Sequence, residues 1–114
     1  MIEKSKPTIL IDLDGVLNKY KGNYDNNMPE INKDAIKFLE KLHKKEKYNL
    51  VLFTTRNLLT SAKWLIENKI DKYFSNITNI KLPSVLLIDD RAICFKGDFD
   101  ELLNEIEDFK VWWT

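Results

Sequence analysis

The sequence predicts a three-layer α/β fold, in which a parallel sheet carries helices on both faces. Short apolar runs of strand length alternate along the chain with amphipathic stretches of helical spacing. The apolar runs lack a polar face, as is typical of strands covered on both sides. Right-handed crossovers then place successive strands side by side in one sheet. With 114 residues, the chain is predicted to form one domain over residues 1–114, without room for a second core.

The first predicted strand is the apolar run from Thr8 to Ile11, which leads directly into two acids. Side chains alternate along a strand, so Asp12 and Asp14 project to the same side at its C-terminal end. Gly15 follows and frees the backbone. Carboxylates at the end of a buried strand are costly unless they serve a site, so this pair is the first candidate.

The next stretch, Asn18 to Asn27, is polar and predicts a loop or short hairpin beside this strand end. Asn32 marks the start of the first helix, whose buried stripe is predicted to hold Ile31, Ala35, Phe38, Leu39 and Leu42. The second strand, Tyr48 to Thr55, is apolar in its middle and ends in the hydroxyls of Thr54 and Thr55.

Asn57 is predicted to cap the second helix, with Trp64 at its margin and Leu58, Ala62, Leu65 and Ile66 facing inward. Asn76 to Ile80 predicts a third strand, and Lys81 follows it. The run Ser84 to Ile88 predicts a further buried strand, which ends in Asp89 and Asp90 as the first strand ends in acids.

The last part of the chain predicts a short fifth strand over Ala92 to Phe95 and a final helix capped by Asp98. The inward residues of that helix are predicted to be Phe99, Leu102, Leu103, Ile106 and Phe109.

In a parallel α/β sheet, ligands bind at the C-terminal strand ends where the strand order reverses. The polar residues at those ends should therefore converge; they are Asp12, Asp14, Thr54, Thr55, Lys81, Asp89 and Asp90. Several acids without a His or Cys ligand favour Mg²⁺ over Zn²⁺. Hydroxyls and a lysine beside such a cation suit a phosphoryl group, whose oxygens need donors and positive charge.

In this order, the residues Asp12-Leu13-Asp14-Gly15-Val16-Leu17, then Thr54, Lys81 and Asp89-Asp90, resemble the four signature motifs of the haloacid dehalogenase superfamily. The resemblance spans essentially the whole chain and implies a Rossmann-like, capless phosphatase domain. One departure is that Leu82 separates Lys81 from Pro83, where family members often have proline directly after the lysine.

The resemblance also implies a role for each motif residue. Asp12 would attack phosphorus and become an aspartyl phosphate, and Asp14 would carry protons to the leaving oxygen and from the hydrolytic water. Thr54, Thr55 and Lys81 would hold the phosphate. Mg²⁺ would bind Asp12, Asp14 through its main-chain carbonyl, and Asp89, and Asp90 would support the ion directly or through water. Arg56 and Arg91 follow their motifs closely, as substrate contacts or as structural ion-pair partners.

Charge and cysteine content indicate which partners and which cellular compartment to expect. Basic and acidic residues number 18 each, so no field for a nucleic acid or a membrane is indicated. Cys94 is the only cysteine, which excludes an internal disulfide and suits a reducing compartment; we expect it to be a small buried residue. No apolar run approaches the roughly 20 residues that span a bilayer. We therefore expect a soluble, cytoplasmic protein.

Two functions other than a phosphatase use similar residues. A phosphoryl-receiver signalling domain also has acids, Thr and Lys around Mg²⁺, but its acidic pair comes first and its acceptor Asp on a later strand, which is the reverse of this order. A catalytically silent or regulatory module that binds a phospho-ligand on the same fold stays open.

The phosphorylated substrate is left open as a nucleic-acid end, a sugar phosphate or a phosphoprotein. Trp112 and Trp113 are predicted to pack against the domain, with a homo-oligomer contact as the alternative.

Overall fold

A computed structural model describes residues 3, 5–23 and 27–114. Within these ranges the strands are β1 (Thr8–Asp12), β2 (Asn49–Phe53), β3 (Asn76–Thr78) and β4 (Leu86–Ile88). The helices are α1 (Lys33–Lys44), α2 (Leu58–Glu67) and α3 (Phe99–Asp108), and a short 3-10 turn, Asp71–Tyr73, precedes β3. As predicted, the side chains of Asn32, Asn57 and Asp98 cap the three helices by accepting backbone N–H groups.

The strands form one parallel sheet in the order β3-β2-β1-β4. In sequence order, β2 and β3 are added on one side of β1, and β4 is then added on the other side. The strand order therefore reverses between β1 and β4. The α/β fold with a parallel, Rossmann-like sheet is thereby confirmed. In this arrangement the crevice for a ligand lies beyond the C-terminal ends of β1 and β4.

The core lies against the two central strands. Ile9 and Ile11 of β1 pack in one cluster with Leu50 and Leu52 of β2, beneath buried residues of both α1 and α2: Ala35, Leu39, Trp64 and Leu65. Leu10 and Val51 point to the opposite face by strand alternation and are fully buried as well. Both faces of β1 and β2 are therefore covered, which explains why their sequences have no polar face.

Several side chains lie on other faces than the sequence predicted. In α2, Trp64 is buried rather than marginal, whereas Leu58 and Ile66 are exposed. The buried residues Ser61, Trp64 and Leu65 have the spacing of one helical face, so the buried face is turned relative to the expected one. In α1, Ala35 and Leu39 are buried as expected, but Phe38 is exposed.

The C-terminal part departs most from the prediction. The predicted buried strand from Ser84 is shorter and lies at the edge of the sheet, with Val85 and Leu86 exposed. Residues 92–95 are irregular rather than a fifth strand, and Cys94 is exposed rather than buried. No strand or helix among the described residues packs extensively against α3. Of the predicted inward residues of α3 only Leu102 is half-buried, and the other four are exposed: Phe99, Leu103, Ile106 and Phe109.

No helix in the described parts of the chain is long and apolar enough to cross a membrane.

Candidate active site

Three carboxylates converge at the C-terminal ends of β1 and β4. Ile11 of β1 is paired with Ile88 of β4, so Asp12 and Asp89 leave the sheet at the same level. Asp12, Asp89 and Asp90 are half-buried, and each offers a carboxylate oxygen within 4.8 Å of the other two. Such a close set of oxygen donors, without nitrogen or sulfur, matches the preference of Mg²⁺.

Asp90 is fixed from the C-terminal end of the chain. The indole Nε1 of Trp113 donates a hydrogen bond of 2.7 Å to Asp90 Oδ2. Asp90 Oδ1 is buried and receives no hydrogen bond from the described residues. A buried carboxylate oxygen without a donor is costly, and either a proton shared with Asp12 or a bound cation would satisfy it. This oxygen is therefore compatible with a hydrogen bond from protonated Asp12 and with a metal ion bound to the ionised cluster.

The crowding of these carboxyls changes the acidity of Asp12. Burial, followed by the charge of Asp89 and then the hydrogen bond and charge of Asp90, raises the pKa of Asp12 from 3.8 to about 8. A protonated carboxyl is a poor nucleophile, so Asp12 needs compensating positive charge to act near neutral pH. A divalent cation held by the same three residues would supply that charge.

Asp14 lies in a different environment from Asp12. Arg56 Nε donates to both of its oxygens, at 2.9 Å to Oδ1 and 2.8 Å to Oδ2, and Asn18 Nδ2 donates to Oδ1 at 2.8 Å. The side chain of Arg56 is 4% exposed and that of Asp14 is 15% exposed, so this is a largely buried ion pair. Of the two roles that the sequence allows for Arg56, these contacts support the structural ion-pair partner.

The carboxylates open into a cavity of about 220 Å³, in which several predicted site residues meet. Its lining includes Asp12, Asp14 and Asp89 together with Thr54, Thr55 and Arg91. Thr54 is buried, and its Oγ1 accepts the backbone N–H of Arg56 at 3.1 Å, which leaves the hydroxyl proton to donate into the cavity. The backbone N–H of Arg91 donates to Asp89 Oδ1 at 2.9 Å.

Lys81 is exposed and is not among the described residues that line this cavity. Its role in holding phosphate stays a prediction. Among the described residues, Arg91 is the cationic side chain that lines the cavity. The sequence left Arg91 either as a substrate contact or as a structural ion-pair partner.

The two ends of the predicted loop after β1 pair with each other in antiparallel fashion. Asn18 and Ile31 form an antiparallel bridge, and Lys19 N donates to Glu30 O at 2.8 Å. Residues 24–26 at its middle lie outside the described residues. Asn18 itself is fully buried; its Oδ1 accepts the backbone N–H groups of Gly15 and Tyr20, and its amide reaches Asp14. Asn18 therefore ties the loop to Asp14 and the turn after β1.

Two site residues escaped prediction from the sequence, namely Asn18 and Trp113. Asn18 is one of several Asn residues in a polar stretch, and only its complete burial distinguishes it. Trp113 contacts Asp90 across 23 positions of sequence, and neither spacing nor composition indicates that contact.

Comparison with known proteins adds support for the fold alone. No protein-family model matches the sequence, and no curated protein matches it. A solved structure of a conserved protein from Bacteroides thetaiotaomicron is similar to this chain, with a TM-score of 0.59 and 22% sequence identity over 94% of each chain.

Proposed function

We propose that this protein is a Mg²⁺-dependent phosphatase of the haloacid dehalogenase type, which hydrolyses phosphate monoesters through an aspartyl-phosphate intermediate. The observation that carries the proposal is the cluster of Asp12, Asp89 and Asp90 at the point where the strand order reverses. Asp90 Oδ1, buried without a donor among the described residues, fits the metal that this chemistry requires.

In the first half of the reaction, a carboxylate oxygen of Asp12 attacks phosphorus. A new O–P bond forms, the ester O–P bond breaks, and the leaving oxygen takes a proton from Asp14. The Thr54 hydroxyl and the Arg91 guanidinium hold phosphoryl oxygens within the cavity. Bound Mg²⁺ would supply positive charge that keeps Asp12 ionised and neutralises the phosphoryl group.

In the second half, water attacks phosphorus and the bond to Asp12 breaks, which releases inorganic phosphate. Asp14 takes the proton from that water, so the carboxyl returns to its starting state. Because Arg56 Nε donates to both oxygens of Asp14, Asp14 must turn partly away from Arg56 and take up a proton from solvent before it can protonate the leaving oxygen.

The Asp14–Arg56 pair also favours the second candidate, a silent module that binds a phospho-ligand. A carboxylate that stays locked to a buried guanidinium cannot carry protons. Such a module would bind phosphate and cation at the same cavity without turnover.

A panel of phosphate monoesters, assayed with Mg²⁺, separates the two candidates. We expect turnover that is lost on chelation and in Asp12→Asn. Asp100→Asn is the matched control, because it makes the same change at an exposed position in the first turn of α3. Absence of turnover across the panel, in a protein whose melting temperature still rises with Mg²⁺, would establish the silent module.

A further inference from the structure

A second cavity, called the aromatic cavity below, differs from the acidic cavity, which is the one lined by Asp12, Asp14 and Asp89. It measures about 420 Å³, and its walls include Tyr20, Trp112 and Trp113 together with Lys19 and Lys21 of the loop after β1. This volume is within the range of small-molecule sites, which are typically concave, largely apolar and supplied with a few polar groups.

The C-terminal residues form one wall of this cavity through specific contacts. Trp112 Nε1 donates to the carbonyl oxygen of Gly15 at 2.7 Å, and the ring of Trp113 meets that of Tyr20 edge to face at 5.7 Å. A Cβ atom on Gly22 would lie 3.3 Å from Trp113 Cη2, so the loop also packs closely on this indole. The aromatic wall is therefore built onto the loop.

Trp112 is nevertheless 63% exposed. A tryptophan held by a hydrogen bond from its nitrogen, with most of its ring in solvent, presents a flat apolar surface that a ligand can cover.

Among the described residues, the two cavities have no lining residue in common, but side chains of one contact side chains at the other. Trp113 lines the aromatic cavity and donates to Asp90, which belongs to the carboxylate cluster with Asp12. Arg91 lines the acidic cavity, and its guanidinium carbon lies 5.8 Å from the ring centroid of Tyr20. The two cavities are thus neighbours on either side of these side chains.

We propose that the aromatic cavity binds the base of a nucleoside monophosphate whose phosphate lies against Asp12. This inference rests on the proposed phosphatase function, for which it names the substrate class. A base stacks on aromatic rings whatever its identity, and lysine amines donate to its ring nitrogens and carbonyl oxygens. A sugar phosphate without a base would leave the Trp112 surface in water. Balanced charge favours a free nucleotide over a nucleic-acid strand.

Activity on AMP and on ribose 5-phosphate tests this directly, because both carry the same ester and differ in the base. We expect kcat/KM for AMP to exceed that for ribose 5-phosphate by roughly tenfold or more, as stacking of one base supplies. Trp112→Leu should bring this ratio close to one, whereas Trp112→Phe, which keeps a ring but loses the indole N–H, should retain most of it. Phe99→Leu is the control, because Phe99 is an exposed aromatic on α3 that lines neither cavity.

A binding measurement that needs no catalysis separates failure of this inference from failure of the phosphatase proposal. In Asp12→Asn, adenosine should quench tryptophan fluorescence, and adding Trp112→Leu should remove most of the quenching. Quenching without turnover on any ester would support the base site and defeat the phosphatase. Turnover with an AMP to ribose 5-phosphate ratio near one and no quenching would overturn the base site alone. Circular dichroism confirms that each variant is folded.

Discussion

The carboxyl group of Asp12 combines two requirements that conflict in the protein alone. In the proposed reaction it must be ionised to attack phosphorus, yet burial and its acidic neighbours raise its pKa to about 8. Between pH 3.8 and about 8 the folded state therefore binds more protons than the unfolded chain, and its free energy of unfolding falls as the pH rises through that range. A cation that binds the ionised cluster opposes this loss.

Mg²⁺ binding should for this reason depend steeply on pH. Below the pKa of Asp12 the proton competes with the cation, so we expect affinity to rise by up to about tenfold per pH unit from pH 6 to 8 and to level off above it. Calorimetric titration at pH 6, 7, 8 and 9 measures this, and Asp12→Asn should remove most of the dependence. Affinity that is constant from pH 6 to 8 would contradict the combination of a raised pKa and metal binding at Asp12.

Asp14 has a structural role in its ion pair with Arg56 and a proposed role as a proton carrier, and Asp14→Asn has a different measurable effect on each. Asp14→Asn leaves the charge of Arg56 buried, at a cost of about 3 kcal/mol in the free energy of unfolding. It also removes the proton carrier, so we expect a loss of about 10²–10⁴ in rate for an alkyl phosphate and a smaller loss for an activated aryl phosphate. Rates are measured well below the melting temperature of the variant.

The leaving-group comparison provides the control for that prediction. General damage to the site slows both substrates alike, whereas loss of the acid affects mainly the poor leaving group. Equal losses, with single-turnover data showing that dephosphorylation does not limit either reaction, would exclude Asp14 as the acid.

At the scale of elements, the turn after β1 must approach the end of β4 closely. Gly15 has a φ of +81°, and a Cβ atom there would clash with Asp90 Oδ2 and lie 2.9 Å from Trp113 Nε1. Glycine is thus needed for both the backbone conformation and the space. The turn conformation at Gly15 is predictable from the sequence. The close approach of Asp90, which follows β4, is not.

We predict that Gly15→Ala displaces Asp90 and weakens Mg²⁺ binding by at least about tenfold, besides costing about 1–3 kcal/mol in stability. Gly97→Ala is a matched control, because Gly97 has a φ of +91° and a Cβ atom there would meet no atom of the described residues within 4 Å. Gly97→Ala should lose stability through backbone strain but should keep the Mg²⁺ affinity of the wild type. If both variants bind Mg²⁺ like the wild type, the contact between the turn and Asp90 does not matter for the metal.

Elements of this fold differ in how far the sequence could predict them. Asp12 ends β1, and Thr54 and Asp89 directly follow β2 and β4, so their convergence follows from strand order and register. The exposed stripe of α3 was not predictable, because helical spacing identifies an apolar face but not the surface that covers it. The partners of Asp14 and Asp90 depend on tertiary contacts between distant segments, which local patterns do not contain.

At the scale of the whole molecule, the two C-terminal tryptophans contact the turn and loop after β1 and the residue pair after β4. Trp112 reaches the carbonyl of Gly15, and Trp113 reaches Asp90 and Tyr20. The prediction that these tryptophans pack against the domain is confirmed for Trp113, which is half-buried, whereas Trp112 remains exposed. The C-terminal residues are thereby part of the acidic site as well as of the aromatic cavity.

Trp113→Phe tests whether these C-terminal contacts position Asp90 for the metal. The variant keeps an aromatic ring against Tyr20 but loses the donor to Asp90 Oδ2, so we expect Mg²⁺ affinity to fall about 10–100-fold, as for other residues that orient a metal ligand. Stability should fall by only about 1 kcal/mol, the worth of one hydrogen bond. Trp112→Phe removes the same N–H from Gly15 O instead and should change the affinity far less, which calorimetric titration of both variants with Mg²⁺ will measure. Equal effects of the two variants would mean that the C-terminal segment acts only as packing and that Asp90 is positioned by β4 alone.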